Sequence, residues 1–200
     1  MRDILVASEN WASAAHHGLL HDGHPTLVHL GEVVAKLHEV EIAGCAPPSE
    51  DTVAAAWLHD TLRYTNTAAW EIGKTLNRRV QEIVELMTDP GPRPVRHTGY
   101  DAARANSKAL AYTRFKFVED QSLRREAGLL RCVDRFCNQR SALAGYRTDK
   151  VRTYAAEFAD HMRVYGITLL DPKVPHRVTL WNELMGQYAE MAVVLSNATD

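Results

Sequence analysis

The chain has few of the features that mark a secreted, membrane-embedded or nucleic-acid-binding protein. Its 200 residues include three cysteines, Cys45, Cys132 and Cys137, with no Cys-x-x-Cys spacing and an odd total. That argues against a disulfide framework or a four-cysteine zinc site. The three read as reduced core residues of a cytoplasmic protein. The opening MRDILVASENW has too short an apolar run for a signal peptide. No segment approaches the ~20 apolar residues that cross a bilayer, so no membrane is expected. Lys and Arg total 23 against 25 Asp and Glu, a formal charge of −2. Without a basic excess, no nucleic-acid polymer is expected as a partner. The local pairs Arg78-Arg79 and Arg124-Arg125 read as solvated helix faces. No run alternates with period two, which leaves no sheet to propose, and there is no internal repeat or low-complexity tract.

What the chain does have is helical periodicity. Hydrophobic residues make up 46% of it, enough for a core in one domain. From Thr26 to Ile42 the residues Leu27, Leu30, Val33, Val34, Leu37 and Val40 recur at spacings of three and four. Gly44 and Pro47-Pro48 end that helix. Ser49 is a good N-cap for the next, whose VAAAWLHD run is apolar on most sides and predicts a central position. A further helix starts near Asn77 and runs to Met87, with Val80, Ile83, Val84 and Met87 on one face. Others follow at roughly 101–118, 121–139, 148–164 and 177–196. The Pro/Gly-rich segment 89–99, with Arg93, Arg96 and His97, reads as a loop, as does 166–175. The apolar stretch from Trp181 to Val194 reads as a helix docking on the domain or on a second copy, so a homodimer stays open. The fold expected is all-α.

Against this background a few polar residues stand in apolar company. His29 lies beside Leu30 and Val33; His59-Asp60 closes the alanine-rich helix; Asp134 sits between Val133 and Phe136. A buried carboxylate needs a partner, which for Asp134 would be a metal, Arg131 or Arg135. Imidazole nitrogen with carboxylate oxygen suits manganese, iron or zinc. Singly, each residue has a commoner explanation, such as a hydrogen-bonded core histidine.

The flanks bind these residues into one pattern. AHHGLLHDGHPTLVHL, AAAWLHDTLRYT, EIGKTLNRRVQEIVELMT and LLRCVDRFCN, in that order, resemble the HD-domain phosphohydrolases of the RelA/SpoT type, including the small alarmone (ppGpp) hydrolases. His16, Gly18, Asp22, Gly23, Pro25 and His29 match the first block; His59 and Asp60 the second; Asn77, Val80, Ile83, Val84 and Thr88 the third; Arg131, Asp134, Arg135 and Asn138 the fourth. Tyr154 and Glu157 fit a later Tyr-x-x-Glu. The resemblance implies an HD-type helical bundle as a single domain, with a core at about residues 12–160 and a C-terminal helical extension at 161–200. It implies His29, His59, Asp60 and Asp134 as ligands of one metal, usually manganese. Such an ion activates water and polarises a phosphoryl oxygen. The implied reaction is hydrolysis of a phosphate ester or anhydride in a nucleotide or related phosphorylated metabolite. His59, Asp60 and Asp22 stand as the catalytic set, and Arg63, Asn138, Arg135 and His21 as substrate contacts.

The sequence also departs from the family. Where the family follows His-Asp, two residues on, with Glu-Asp, this chain has Arg63 and Tyr64. A guanidinium stays protonated and is no general base. It can bind a phosphate through its forked donors, or serve as an ordinary salt-bridge partner. Leu19 and His21 replace a Gln and an Arg of the first block, and Thr26 replaces an aromatic residue, which weakens the expected guanine recognition. Asp22 reads either as a substitute acid or as a turn residue. His16 and His21 can shuttle a proton; Asn138 can bind a ribose or phosphate, or cap its own backbone. The alternative to an enzyme is a catalytically degenerate HD domain that binds metal or nucleotide for regulation.

Overall fold

A computed structural model describes residues 3–91, 100–145 and 147–198. The expected loop residues Arg93, Arg96 and His97 lie outside the described residues. In chain order the elements are α1 (Asp3–Ala15), β1 (Leu20–His21), β2 (His24–Pro25), α2 (Thr26–Ile42), α3 (Glu50–Leu58), α4 (Thr61–Tyr64), α5 (Ala69–Thr75) and α6 (Arg78–Met87). They continue with α7 (Tyr100–Lys116), α8 (Gln121–Ala144), α9 (Thr148–Val164), 3-10 turns at Gly166–Leu170 and Pro175–Arg177, and α10 (Val178–Asn197). Among the described residues the fold is all-α apart from one small hairpin. No described helix is long and apolar enough to cross a membrane.

The chain divides into two compact units, each discontinuous in sequence. One comprises residues 1–19 and 49–127. There α1 and α6 pack on α3, with α5 and α7 against α6. The alanine-rich α3 is buried along most of its length, at Val53, Ala54, Ala55, Ala56 and Leu58. Ser49 caps it, its hydroxyl accepting from the Thr52 amide at 3.2 Å. Asn77 caps α6 in the same way through the Val80 amide at 2.9 Å. The residues of α6 at spacings of three and four, Val80, Ile83, Val84 and Met87, are all buried, as the periodicity predicts.

The other unit comprises residues 20–48 and 128–200. Here α10 packs on α9 and on the Gly166–Leu170 turn, and α2 on the Pro175–Arg177 turn. Ala142, Val151 and Met191 form a core cluster closed by Leu143, Tyr154, Val194 and Leu195. Residues 161–200 thus pack within this unit. Glu41 near the end of α2 accepts from Arg177 Nε at 2.7 Å and Nη2 at 3.0 Å, with His176 Nε2 at 3.2 Å. Gly44 must lack a side chain for this contact, since a Cβ would fall 2.4 Å from His176 Nδ1.

Several sequence expectations need correction. The hairpin was not expected, because strands of two residues are too short to show alternation. The segment 166–175 folds largely into 3-10 turns, because Leu169 is drawn into the core. Helix α8 runs on to Ala144, since nothing breaks a helix before Gly145. Cys132 and Cys137 are buried, the latter with its thiol pushed up to about 12 by burial, but Cys45 is exposed.

Burial alone would raise the Glu41 carboxyl, but the hydrogen bonds and charges of Arg177 and His176 outweigh it and hold the group below its ordinary 4.5. Its stabilisation is therefore complete above that ordinary value and is lost as pH falls through the lowered one. Glu41→Gln should cost about 1–3 kcal/mol at neutral pH and flatten the loss of stability in acid, as read by urea unfolding across pH.

Candidate functional site

Four of the sequence-predicted residues form one linked group in the second unit. Asp134 and Asn138 stand one turn apart on α8, so the Asn138 amide reaches back and donates to Asp134 Oδ1 at 2.6 Å and to the Asp134 carbonyl at 3.0 Å. His29 on α2 brings Nε2 to 3.2 Å from the same Oδ1. With the Asn138 nitrogen committed to Asp134, its oxygen faces His21 Nε2 at 3.1 Å. An amide oxygen only accepts, so this contact assigns the proton to His21 Nε2. The His21 ring stacks on His29, with centroids 4.1 Å apart and planes 6° from parallel.

The hairpin delivers His21 to that position. His21 pairs with His24 across a two-residue turn, Asp22-Gly23. Both turn residues have positive φ, 53° and 86°, as the tight primed turns require. Gly23 adopts that conformation without steric cost, and Asp is among the few side chains that tolerate it. The Asp22 carboxylate accepts a hydrogen bond from Lys150, with Ser141 Oγ at 3.5 Å, His21 Nε2 at 3.7 Å and Arg147 at 3.8 Å. Burial alone would raise its carboxyl, but Lys150, His21 and Arg147 together hold it below the ordinary 3.8. An acid stabilised as its anion by two cations is a weak base. Asp22 thus has the conformation and partners of a turn residue tied to α9. Lys150, Arg147 and Ser141 carried no signal in the sequence, lying more than a hundred residues from Asp22.

The first unit carries the other candidates. His59 follows α3, and its Nδ1 lies 2.8 Å from the Ala56 carbonyl. A carbonyl only accepts, so Nδ1 bears a proton, and Nε2 is the ring nitrogen turned away from that bond. That nitrogen lies 3.7 Å from Asp60 Oδ2, and His59 is only 3% exposed. His16, just past α1, is buried with Nε2 3.4 Å from Thr61 Oγ1. Its Nδ1 has no hydrogen-bond partner among the described residues. Burial lowers its pKa below 6.5, with His59 reinforcing and Asp60 opposing, so the ring is held neutral at physiological pH. Arg63 on α4 lies 3.9 Å from Asp89, and Tyr64 beside it is exposed.

Arg135 faces other demands. It is buried, bonds Glu157 at 2.9 Å and lies over the Tyr154 ring. These are the two residues of the Tyr-x-x-Glu match, so that match corresponds to an internal ion pair.

The donors present suit a divalent ion. Each unit offers an imidazole and a carboxylate close together, a nitrogen-oxygen set that fits manganese, iron or zinc. The Ala56 carbonyl supplies the outer hydrogen bond that normally orients a ligating histidine.

Asp22→Asn keeps a residue tolerated in the turn but removes its charge. It should cost about 1.5–3 kcal/mol, the scale of a hydrogen bond to a charged group, measured as a lower urea midpoint with unchanged m-value. No protein-family model and no curated relative matches the chain.

Proposed function

We propose that the chain is a metal-dependent phosphohydrolase acting on a nucleotide or related phosphorylated metabolite, with His29, His59, Asp60 and Asp134 as the metal ligands. The observation that carries this reading is the placement of the two histidines. The Ala56 carbonyl engages His59 Nδ1 at 2.8 Å, and His29 Nε2 lies 3.2 Å from the Asp134 carboxylate. The ordered motif blocks supply the chemistry class. Manganese is the ion the family resemblance favours; when bound, such an ion activates water and neutralises phosphoryl charge. The chain's own part is positional. Asn138 holds Asp134, His21 packs on His29, and the hairpin turn holds His21 in place. His16, buried and neutral, can take up a proton beside the His59-Asp60 pair.

A second reading, a degenerate HD domain that binds metal or nucleotide for regulation, draws on one observation. Arg63 stands where the family has an acid, and it faces an acid of this chain, Asp89.

Protein purified without chelator should carry about one equivalent of transition metal per chain, read by elemental analysis. Loss of that metal in His59→Ala and Asp134→Ala supports the ligand set; protein that neither carries nor takes up manganese sinks it. Asn138→Ala, which removes support of a ligand rather than a ligand, should weaken metal affinity about 10–100-fold. A panel of guanosine tetraphosphate, other nucleotides and deoxynucleotides assayed with manganese then separates the readings. Turnover abolished by Asp60→Ala marks an enzyme; saturable binding without turnover marks a regulator.

A further inference from the structure

The turn that carries His59 and Asp60 is held from two sides within the first unit. On one side the Ala56 carbonyl engages His59 Nδ1 at 2.8 Å. On the other stands Thr61, fully buried, whose Oγ1 lies 3.4 Å from Nε2 of the buried His16. That contact is long for a hydrogen bond, but water does not compete for it between two buried side chains. A hydroxyl gives or accepts, so the contact forms with either tautomer of the ring.

Asp60 occupies the N-cap position of α4, where an aspartate side chain ordinarily accepts from an amide near the helix start. Here its backbone sits at φ −94° and ψ −6°, and the carboxylate makes no such bond. The Asp60 carbonyl accepts the Arg63 and Tyr64 amides, at 3.2 and 3.0 Å. The carboxylate is therefore not committed to the helix start, and α4, four residues long, has no side-chain cap. Thr61 supplies a different hold. Its carbonyl accepts from the Thr65 amide at 3.0 Å and from Thr65 Oγ1 at 2.8 Å, while its hydroxyl faces His16. His16 is placed by the end of α1. Its amide donates to the Ala12 carbonyl at 3.0 Å, and its carbonyl accepts from the Leu19 amide at 2.9 Å. Helix α1 packs on α3, so the brace runs from α3 through α1 and back to the residue after Asp60.

The His16 ring is a costly way to fill this space. Its Nδ1 makes no hydrogen bond among the described residues, and an unmatched buried nitrogen lowers stability. A leucine of similar size would spare that cost, so what the ring adds is direction rather than stability. We propose that His16 is a positioning residue for the metal site, acting through Thr61 to fix the His59-Asp60 turn with the Asp60 carboxylate released from capping. The proposal deepens the metal-dependent reading and rests on it for the role of His59 and Asp60.

The probe is Mn2+ alone, titrated into the metal-free whole chain and read by loss of the free-ion EPR signal, with a urea unfolding midpoint for every variant. The double variant His16→Leu/Thr61→Val replaces both polar partners by apolar groups, which leaves the midpoint close to wild type. Its Mn2+ affinity should nevertheless fall about three- to tenfold, less than on losing a direct hydrogen-bond partner of a ligand. Thr61→Ser keeps the hydroxyl and should restore wild-type affinity; His16→Gln keeps a donor and should fall between. A second readout needs no metal. In the double variant the Arg63 and Tyr64 amides, both bonded to the Asp60 carbonyl, should exchange about three- to tenfold faster relative to the α3 amides. If the double variant does not fold, Thr61→Val against Thr61→Ser makes the same comparison. Mn2+ affinity indifferent to His16 and Thr61, or falling only in step with the midpoint, overturns the proposal and leaves the ligand set standing. Wild-type protein that takes up no Mn2+ removes the ligand set and the proposal together.

Discussion

One carboxylate organises the unit that holds it. Asp134 stands on α8 among apolar neighbours, where an anion must be met by donors or by positive charge. Asn138, one turn later, meets it with its NH2 group at 2.6 Å. That choice decides the rest. With its nitrogen used, the amide turns its oxygen to His21, which fixes the tautomer of that ring. His21 lies flat on His29, whose Nε2 returns to Asp134. The position of His21 depends in turn on a two-residue turn that only a few residue types adopt, and the turn is tied down by Lys150 through Asp22. The arrangement is a linked set in which each polar group answers a need of the one before it, as partly buried polar groups must if they are not to cost stability.

This explains which parts were legible in the sequence. Helices α2, α3 and α6 follow from local apolar spacing and from the side-chain caps Ser49 and Asn77, and local signals are what a sequence displays. The Asp134–Asn138 clamp was legible in principle, because four-residue spacing on a helix is also local. The hairpin was written only in the dipeptide Asp22-Gly23, a turn signal with too little strand on either side to confirm it. The contacts that give Asp22 and Arg63 their character join residues far apart in the chain: Lys150 to Asp22, and Lys108 through Asp89 to Arg63. No periodicity encodes them. Asp22 shows the consequence. Sequence alone left it as either an acid catalyst or a turn residue, and the positive φ with two cationic partners gives it the features of the latter.

The exchange at Arg63 and Tyr64 changes what the region around the His59-Asp60 pair favours. Where the HD-domain proteins of the proposed resemblance have two carboxylates, this chain carries a guanidinium and a phenol, a difference of roughly three charge units at neutral pH. Carboxylates beside a reacting phosphate position or deprotonate water and repel the bound anion. A guanidinium beside the same phosphate attracts it and accepts no proton. On the proposed reading, the difference moves interaction energy from the transition state toward the bound ground state. Binding that is equally strong in both states lowers KM without raising kcat. On the proposed phosphohydrolase reading, such a region would hold a phosphorylated ligand more firmly than it turned one over. The enzyme and regulator readings then differ less in which ligand is bound than in how far His16, beside the proposed ligands His59 and Asp60, can supply the proton transfers for which the resembled family has two acids.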